Sequence, residues 1–391
     1  MTFRRQLQWG GLAIILAALL VSVTNGLLYV GIHTIALHVM YAIGFAGLIL
    51  TCTLIHITQA RRASLFESII YLLSVLCLAY VNVAIFMDLV AMADIPGTEQ
   101  AIASTRGPVF LFAMYVLYFC LVLFFLVSAQ VGAIPRWAAI LTAFGIALQL
   151  PAQFAMNMAG PMFFPFSAGG SILFGVGLVA IGWSLWSNTE LLMEDPHLST
   201  LDRGWGAPIV MLAALFLILN AYTNTFSALR LSHGIINLIS LTILLLSITI
   251  LFIVQAKYAG ITGWLGFVFI HLGAALSIIP AYLIMAQLAG QIESSRALTA
   301  AWVDFPFGRV GNYMLILGMI LFGVSVIRAN VFPRWTGWLV VIGVALFLPS
   351  QFQSQADLFI IFWAIGATFA GIGFGYMGWT LLRQKSSFEQ A

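Results

Sequence analysis

Charged side chains are scarce in this chain. Only 7% of its 391 residues are Asp, Glu, Lys or Arg, whereas 62% are apolar. A soluble globular domain carries about 25% charged residues. This deficit excludes a soluble globular protein and a disordered chain, and it indicates an integral membrane protein.

Cysteines are few, and the familiar catalytic motifs are lacking. Cys52, Cys77 and Cys120 lie apart within apolar segments, which excludes a disulfide framework. The chain has no P-loop, no HExxH zinc motif, no GxSxG elbow and no CxxC pair. We therefore expect no enzyme, although Asp88 and the histidines could perform acid–base chemistry if the fold brought them together. The net charge of +3 does not indicate a nucleic-acid partner.

Long apolar runs are abundant. Crossing a bilayer core takes about 20 helical residues, and twelve runs qualify: 10–31, 34–57, 67–92, 108–131, 137–158, 168–187, 206–229, 234–256, 263–289, 310–328, 335–352 and 357–382. The runs lack the alternation of barrel strands. The sequence therefore predicts an all-α integral membrane protein with twelve transmembrane helices, the first of them a retained span rather than a signal peptide.

The positions of Lys and Arg predict the orientation. With twelve spans, eleven of the fifteen basic residues fall on the side of the N-terminus. The opposite side receives the other four, Arg106, Arg230, Arg296 and Arg309. Because basic residues favour the cytoplasm, we expect both termini to be cytoplasmic in a multi-pass protein of the plasma (cytoplasmic) membrane.

The two halves of the chain resemble each other. IPRW at 134–137 returns as FPRW at 332–335, and LPAQF at 150–154 returns as LPSQF at 348–352, both 198 residues later. These matches predict a tandem duplication, with a first six-helix repeat at 1–187, a cytoplasmic linker at 188–205 and a second six-helix repeat at 206–391. Two six-span halves enter the membrane in the same direction. We expect parallel repeats related by a pseudo-twofold axis along the membrane normal.

Polar residues within the spans collect toward the predicted outer side and suggest a cavity open to it. The candidate solute-binding residues are Thr24, Asn25, Asn82, Asp88, Gln153, Asn224 and Gln351. Gln153 and Gln351 follow Pro151 and Pro349 at equivalent places, and interrupted helices in both halves are a pointer to a transporter site. The alternative is that the amides and hydroxyls only join helices and that Asp88 reaches the membrane interface.

Five histidines form a second candidate group. His33, His38 and His233 lie toward the outer side, and His56 and His271 lie toward the inner side. They could ligate a metal or a haem iron, but no spacing motif supports a cofactor, and single buried histidines with a structural role are the alternative.

Together these features predict a secondary transporter or small-molecule-binding permease with a polar cavity toward the outer face. The alternative is a membrane subunit of a larger complex, such as a haem- or quinone-linked redox complex, without transport of its own. The expected partners are the lipid bilayer and, in the second case, other membrane subunits.

Overall fold

The computed structural model describes residues 3–29, 32, 34–59, 65–93, 108–132, 134–156, 164–187, 200–225, 230–288, 307–348 and 356–388. Twelve α-helices account for nearly all of these residues. The first six are α1 (Phe3–Tyr29), α2 (Ile35–Gln59), α3 (Leu65–Met92), α4 (Pro108–Val131), α5 (Arg136–Met156) and α6 (Phe164–Ser187). The other six are α7 (Thr200–Thr225), α8 (Arg230–Gln255), α9 (Gly260–Leu288), α10 (Phe307–Ala329), α11 (Arg334–Ala345) and α12 (Ala356–Phe388).

Each helix overlaps one predicted span. Within the described residues, nine helices are long and apolar enough to cross a membrane, and two shorter apolar helices cover Ile239–Gln255 and Arg334–Ala345. The prediction of a helical, multi-pass membrane protein is confirmed at this level. α7 begins at Thr200, earlier than the predicted start at 206.

The chain divides into two compact units. The N-terminal unit comprises Arg4–Asp195, and the C-terminal unit comprises Pro196–Ala391 together with Met1–Phe3. The division after Asp195 lies inside the segment that the sequence assigns to the linker.

Helices of the N-terminal unit contact their chain neighbours in a closed ring. α2 packs on α3, α3 on α4, α4 on α5 and α5 on α6. Gly44 of α2 lies against Val21 of α1, and Gly182 of α6 lies against the Gly11 carbonyl of α1, so α1 closes the ring.

The C-terminal unit has the same helix order. α7 packs on α8, and each later helix packs on the next as far as α12, which returns to α7. In each unit the buried apolar side chains come from all six helices.

Close helix crossings occupy matching positions in the two units. Gly145 of α5 lies against the backbone of Phe174, and Gly343 of α11 lies against the backbone of Ala370. In each case a methyl group on the glycine would collide with backbone atoms. The pairs Gly175 with Ser22 and Gly371 with Ile218 show the same correspondence.

The turns before α5 and α11 also correspond. Gly132 follows the end of α4 with φ of 75°, and Asn330 follows the end of α10 with φ of 54°. Gly and Asn are the residues that adopt this left-handed conformation most readily at a helix C-terminus. Each amide donates to the carbonyl four residues earlier, Ser128 and Val326, over 3.3 Å.

Candidate functional site

A small cavity lies in the interior of the N-terminal unit. Its volume is about 30 Å³, which is room for about two water molecules at roughly 10–15 Å³ each. All six helices contribute to its wall: Val21, Ser22, Asn25, Tyr41, Phe45, Leu48, Leu78, Leu117, Tyr118, Leu121, Ile146, Gln149, Ser171 and Phe174. The cavity is therefore a property of the whole ring and not of one helix pair.

Asn25 connects three helices at this cavity. Its Nδ2 donates to the Ser171 hydroxyl of α6, and its Oδ1 accepts from the Tyr41 hydroxyl of α2 over 3.4 Å. The side chain is 8% exposed. Because an amide offers two donor hydrogens and two acceptor lone pairs, these bonds leave Asn25 further capacity for a molecule in the cavity.

Gln149 and Tyr118 form a second hydrogen-bonded pair in the wall. The Tyr118 hydroxyl donates to Gln149 Oε1 over 3.3 Å, and Gln149 Nε2 lies 3.5 Å from the Gly145 carbonyl of its own helix. The Ser22 hydroxyl also belongs to the wall and is buried without a hydrogen-bond partner. We name Ser22, Asn25, Tyr41, Tyr118, Gln149 and Ser171 the interior polar cluster.

None of the described wall residues has a charged side chain. Its polar atoms are hydroxyls and carboxamides, which hydrogen-bond to uncharged groups but do not offset the cost of bringing an ion out of water. The arrangement is chemically suited to a small neutral molecule that both donates and accepts hydrogen bonds.

Asn82 of α3, like Gln255 of α8, is a buried amide with no hydrogen-bond partner for either polar atom. Asn82 is completely buried. It lies one helical turn beyond Leu78, a residue of the cavity wall, and residues four apart share a helix face.

The other predicted solute-binding residues differ in their surroundings. The Thr24 hydroxyl donates to the Leu20 and Val21 carbonyls of its own helix. Asp88 is half-buried in α3. Gln153 lies in α5 and Asn224 in α7, but their side chains are outside the described residues, as is the whole of Gln351. Of the seven predicted residues, the structure thus places Asn25 in the cavity wall and Asn82 one turn from it.

The inner histidines are buried, each within its own unit. His271 Nδ1 lies 2.8 Å from the Phe267 carbonyl, and its Nε2 lies 3.3 Å from the Thr249 hydroxyl. His56 stacks on Tyr71 with 4.4 Å between ring centroids, and its Nδ1 has no hydrogen-bond partner.

The outer histidines are described only in part. His38 Nδ1 lies 3.1 Å from the Thr34 carbonyl, whereas the side chains of His33 and His233 are outside the described residues. Within the part of the chain that the structure describes, no three His, Cys, Asp or Glu side chains are grouped so that they could hold a metal ion. Ligation of a metal or haem by these histidines stays a prediction.

Sequence reasoning missed Ser22, Tyr41, Tyr118 and Ser171, and it placed Gln149 among the outward polar residues without making it a candidate. Serine and tyrosine are common in membrane helices, and nothing in their local spacing marks these four. A comparison of the halves could have found them, because the matching glycine crossings and the repeated motifs align the two units position by position. The residue numbers of aligned positions differ by 196 for α1–α3 and α6, and by 198 for α4 and α5.

In the C-terminal unit the aligned positions are almost entirely apolar. The counterpart of Asn82 is Ile278. The counterparts of Ser22, Asn25, Tyr41, Tyr118, Gln149 and Ser171 are, in the same order, Ile218, Ala221, Asn237, Ile316, Phe347 and Ala367. Phe347, the counterpart of Gln149, stacks on Trp363 with 5.0 Å between ring centroids. Asn237, the one polar counterpart, accepts a 3.1 Å hydrogen bond from Asn220.

Neither family models, nor curated proteins, nor solved structures give a match to this chain.

Proposed function

We propose that this protein is a small-molecule-binding permease and that its solute binds in the interior of the N-terminal unit. The observation that carries the proposal is the interior polar cluster around a cavity to which all six helices contribute. In a membrane protein, polar groups away from water are costly unless they meet partners or line a path for a solute.

The repeated architecture supports transport. We propose that the two units are copies of one ancestral six-helix unit, because they share motifs, helix order and glycine crossings. Parallel repeats of this kind are common in secondary transporters. A second class of protein, a membrane subunit of a larger complex, would not require a polar interior in one unit.

The cavity chemistry defines the solute class as small, neutral and hydrogen-bonding. The described residues of the wall carry no charge, which disfavours an ion as the solute. A solute larger than about two water molecules needs the helices of the ring to move apart, because the cavity has a volume of only about 30 Å³. Opening and closing of the six-helix ring is the movement that a transport cycle would use.

Flux into proteoliposomes tests the proposal. Vesicles with the purified protein are mixed rapidly with hyperosmotic glycerol, acetamide or sodium acetate, and re-swelling is followed by light scattering. We expect faster entry of at least one neutral solute than in protein-free vesicles, and no acceleration for acetate.

The matched pair for this test is Gln149→Leu and Phe347→Leu, because the two positions correspond in the aligned units. Gln149→Leu removes a wall amide and should slow the accelerated flux about tenfold, the equivalent of about 1.4 kcal/mol. Phe347→Leu should retain the flux. Vesicles that admit every solute at the protein-free rate would overturn the proposal. A Soret absorption band in the pure protein, lost in His56→Ala or His271→Ala, would replace it with the haem-bearing subunit.

A further inference from the structure

Two exposed arginines lie on either side of the turn that connects α10 with α11. Arg328 is in the last turn of α10, and Arg334 is the first residue of α11. Arg334 Nε donates to Asn330 Oδ1 over 3.2 Å, and Asn330 is the residue with positive φ that follows α10. This hydrogen bond holds the Arg334 side chain beside a residue that comes only two positions after Arg328.

Packing of the helices brings α12 to the same level. Gly337 of α11 approaches Ile327 of α10, whose side chain would lie 2.7 Å from a Cβ at the glycine. The end of α10 and the start of α11 are therefore side by side. Trp335 contacts Tyr376 of α12, with 4.5 Å between the ring centroids. The arginines at the turn are thus level with the second half of α12.

The second half of α12 adds another ring and a third arginine. Trp379 and Arg383 follow Tyr376 by three and seven residues, and such spacings share one helix face. Arg383 Cζ is 5.3 Å from the centroid of the Trp379 ring, which is a cation–π distance. We define the basic aromatic patch by six exposed residues: Arg328, Arg334, Trp335, Tyr376, Trp379 and Arg383.

Acidic residues are scarce in the three helices that form the patch. α10 and α11 contain no Asp or Glu, and the acidic residue of α12, Asp357, lies at the opposite end of that helix. Glu389, six residues after Arg383, is outside the described residues. The patch therefore carries a concentrated positive charge, and guanidinium groups are well suited to bind phosphate through paired hydrogen bonds.

The N-terminal unit has only half of the patch. At three of the six aligned positions it keeps the same residue types, an arginine and two tryptophans. The three that differ are Arg328, Tyr376 and Arg383, whose counterparts are Gln130, Ala180 and Ser187. Arginine and tryptophan at helix ends are general features of membrane proteins. The additional arginines and the tyrosine are particular to the C-terminal unit, and the matching ring of the N-terminal unit is built without them.

Exposed apolar side chains continue from the patch along α11 and α12. They are Trp338 and Ile342, which follow Trp335, and Ile372, which precedes Tyr376. Because α11 runs away from the patch and α12 runs toward it, this surface leads from the patch along the spans toward the bilayer core. A molecule with a charged headgroup and hydrocarbon chains matches both parts of the surface, whereas a free phosphate ion matches only the arginines.

We infer that the basic aromatic patch binds an anionic phospholipid, with the phosphate at the arginines and the acyl chains along the apolar surface of α11 and α12. Basic pockets between membrane helices bind anionic headgroups in this way. The rings of Trp335, Tyr376 and Trp379 occupy the level between headgroup and chains, which tryptophan and tyrosine favour. The inference goes beyond the proposed function and does not depend on it, since lipid binding requires no solute.

The experiment measures lipid binding by the purified full-length chain in a neutral detergent. Dioleoyl phosphatidylglycerol or dioleoyl phosphatidylcholine is added stepwise, bound lipid is counted by native mass spectrometry, and the melting temperature is followed in parallel. We expect the wild type to bind phosphatidylglycerol roughly tenfold or more tightly than phosphatidylcholine. Phosphatidylglycerol should also raise the melting temperature further.

Arg334→Gln and Arg136→Gln are the matched variants, because both arginines are exposed first residues of aligned helices. Arg334→Gln should weaken phosphatidylglycerol binding about fivefold, the usual contribution of one arginine near an anionic headgroup. Arg136→Gln should leave this binding unchanged. The double variant Arg328→Gln with Arg383→Ser introduces the residues of the N-terminal unit and should weaken binding about 25-fold. The two single variants repeat the test in case the double variant does not fold.

Three results would overturn the inference. The first is equal affinity of the wild type for the two lipids. The second is an equal loss in Arg136→Gln and Arg334→Gln, which would show attraction to total charge and not to the patch. The third is displacement of phosphatidylglycerol by an equal concentration of glycerol 3-phosphate, which would make the site one for a free phosphate. A protein that moves no solute would refute the permease proposal and leave these binding measurements decisive for the patch.

Discussion

Neighbouring polar residues at the end of α1 have different partners. The Thr24 hydroxyl donates to the carbonyls of Leu20 and Val21, four and three residues earlier in its own helix. Asn25 reaches out of the helix to Tyr41 and Ser171. A helical threonine that bonds to its own backbone needs no partner from another helix, so only Asn25 contributes to the connection among α1, α2 and α6.

This difference gives a prediction for two adjacent substitutions. Asn25→Ala should reduce solute flux severalfold and destabilise the protein by about 1–3 kcal/mol, because the Tyr41 and Ser171 hydroxyls lose a buried partner. Thr24→Val should have a much smaller effect on flux, since it keeps the shape and removes only a local bond. Flux and thermal unfolding of the two purified variants check the prediction. Equal losses in both would show that the Asn25 network has no special role.

One threonine of α2 and its aligned partner in α8 illustrate what could and could not be predicted from the sequence at the scale of single residues. Thr53 and Thr249 are aligned in the two units, and each donates to the carbonyl four residues earlier, Ile49 or Leu245. Each also meets a ring on the next helix, but the ring is Tyr71 in one unit and His271 in the other. The local bond follows from sequence position alone. The partner across the helix interface depends on packing and could not be read from spacing.

Elements are held together by close crossings that glycine permits. Gly145 in α5 and Gly343 in α11 allow the backbone of the following helix to approach within contact distance. Small residues at such crossings let membrane helices pack tightly where no hydrophobic effect drives them together. The same kind of crossing occurs at corresponding helices of both units.

The crossings predict the effects of single methyl groups. Gly145→Ala and Gly343→Ala should each destabilise the protein by about 1–3 kcal/mol, because the added carbon would meet backbone atoms that cannot turn aside. Gly169→Ala in α6 is the control, since a methyl group there meets nothing within 4 Å. It should be neutral or stabilise by up to about 1 kcal/mol. The measurement is thermal unfolding of the three variants in one detergent. If Gly169→Ala were as unstable as Gly145→Ala, the packing argument would be contradicted.

Helices were more predictable than the site for a physical reason. An apolar run of about 20 residues has few alternatives to a helix in a bilayer, and all twelve helices overlap predicted spans. The interior of the ring depends on which faces turn inward, and the low charge leaves little contrast between the faces. Asn25 and Asn82 could be predicted because they are polar residues in the predicted outer half of apolar spans. Tyr41 and Ser171 became visible through their contacts with Asn25 and the cavity.

At the scale of the whole molecule, tryptophan and arginine occupy the same helix ends. Trp137 and Trp335 follow Arg136 and Arg334 at the starts of α5 and α11, and both side chains are exposed. Trp9 near the start of α1 and Trp183 near the end of α6 are exposed too. Tryptophan is enriched at membrane–water interfaces, and Lys and Arg mark the cytoplasmic one.

These ends define a prediction for orientation. If α1 begins in the cytoplasm, α5 and α11 also begin there, and the C-terminus after α12 returns to the same side. Fusion of green fluorescent protein to the C-terminus should give a fluorescent product, and fusion of alkaline phosphatase should be inactive, because each enzyme or fluorophore matures on one side only. Phosphatase inserted after Pro96 or Glu293, in the loops predicted to be outside, should be active.

An active C-terminal phosphatase would reverse the orientation. The polar end of the N-terminal unit, where α1 ends and α2 begins, would then face the cytoplasm. The solute site would remain in the same ring, but it would be nearer to the cytoplasmic pool.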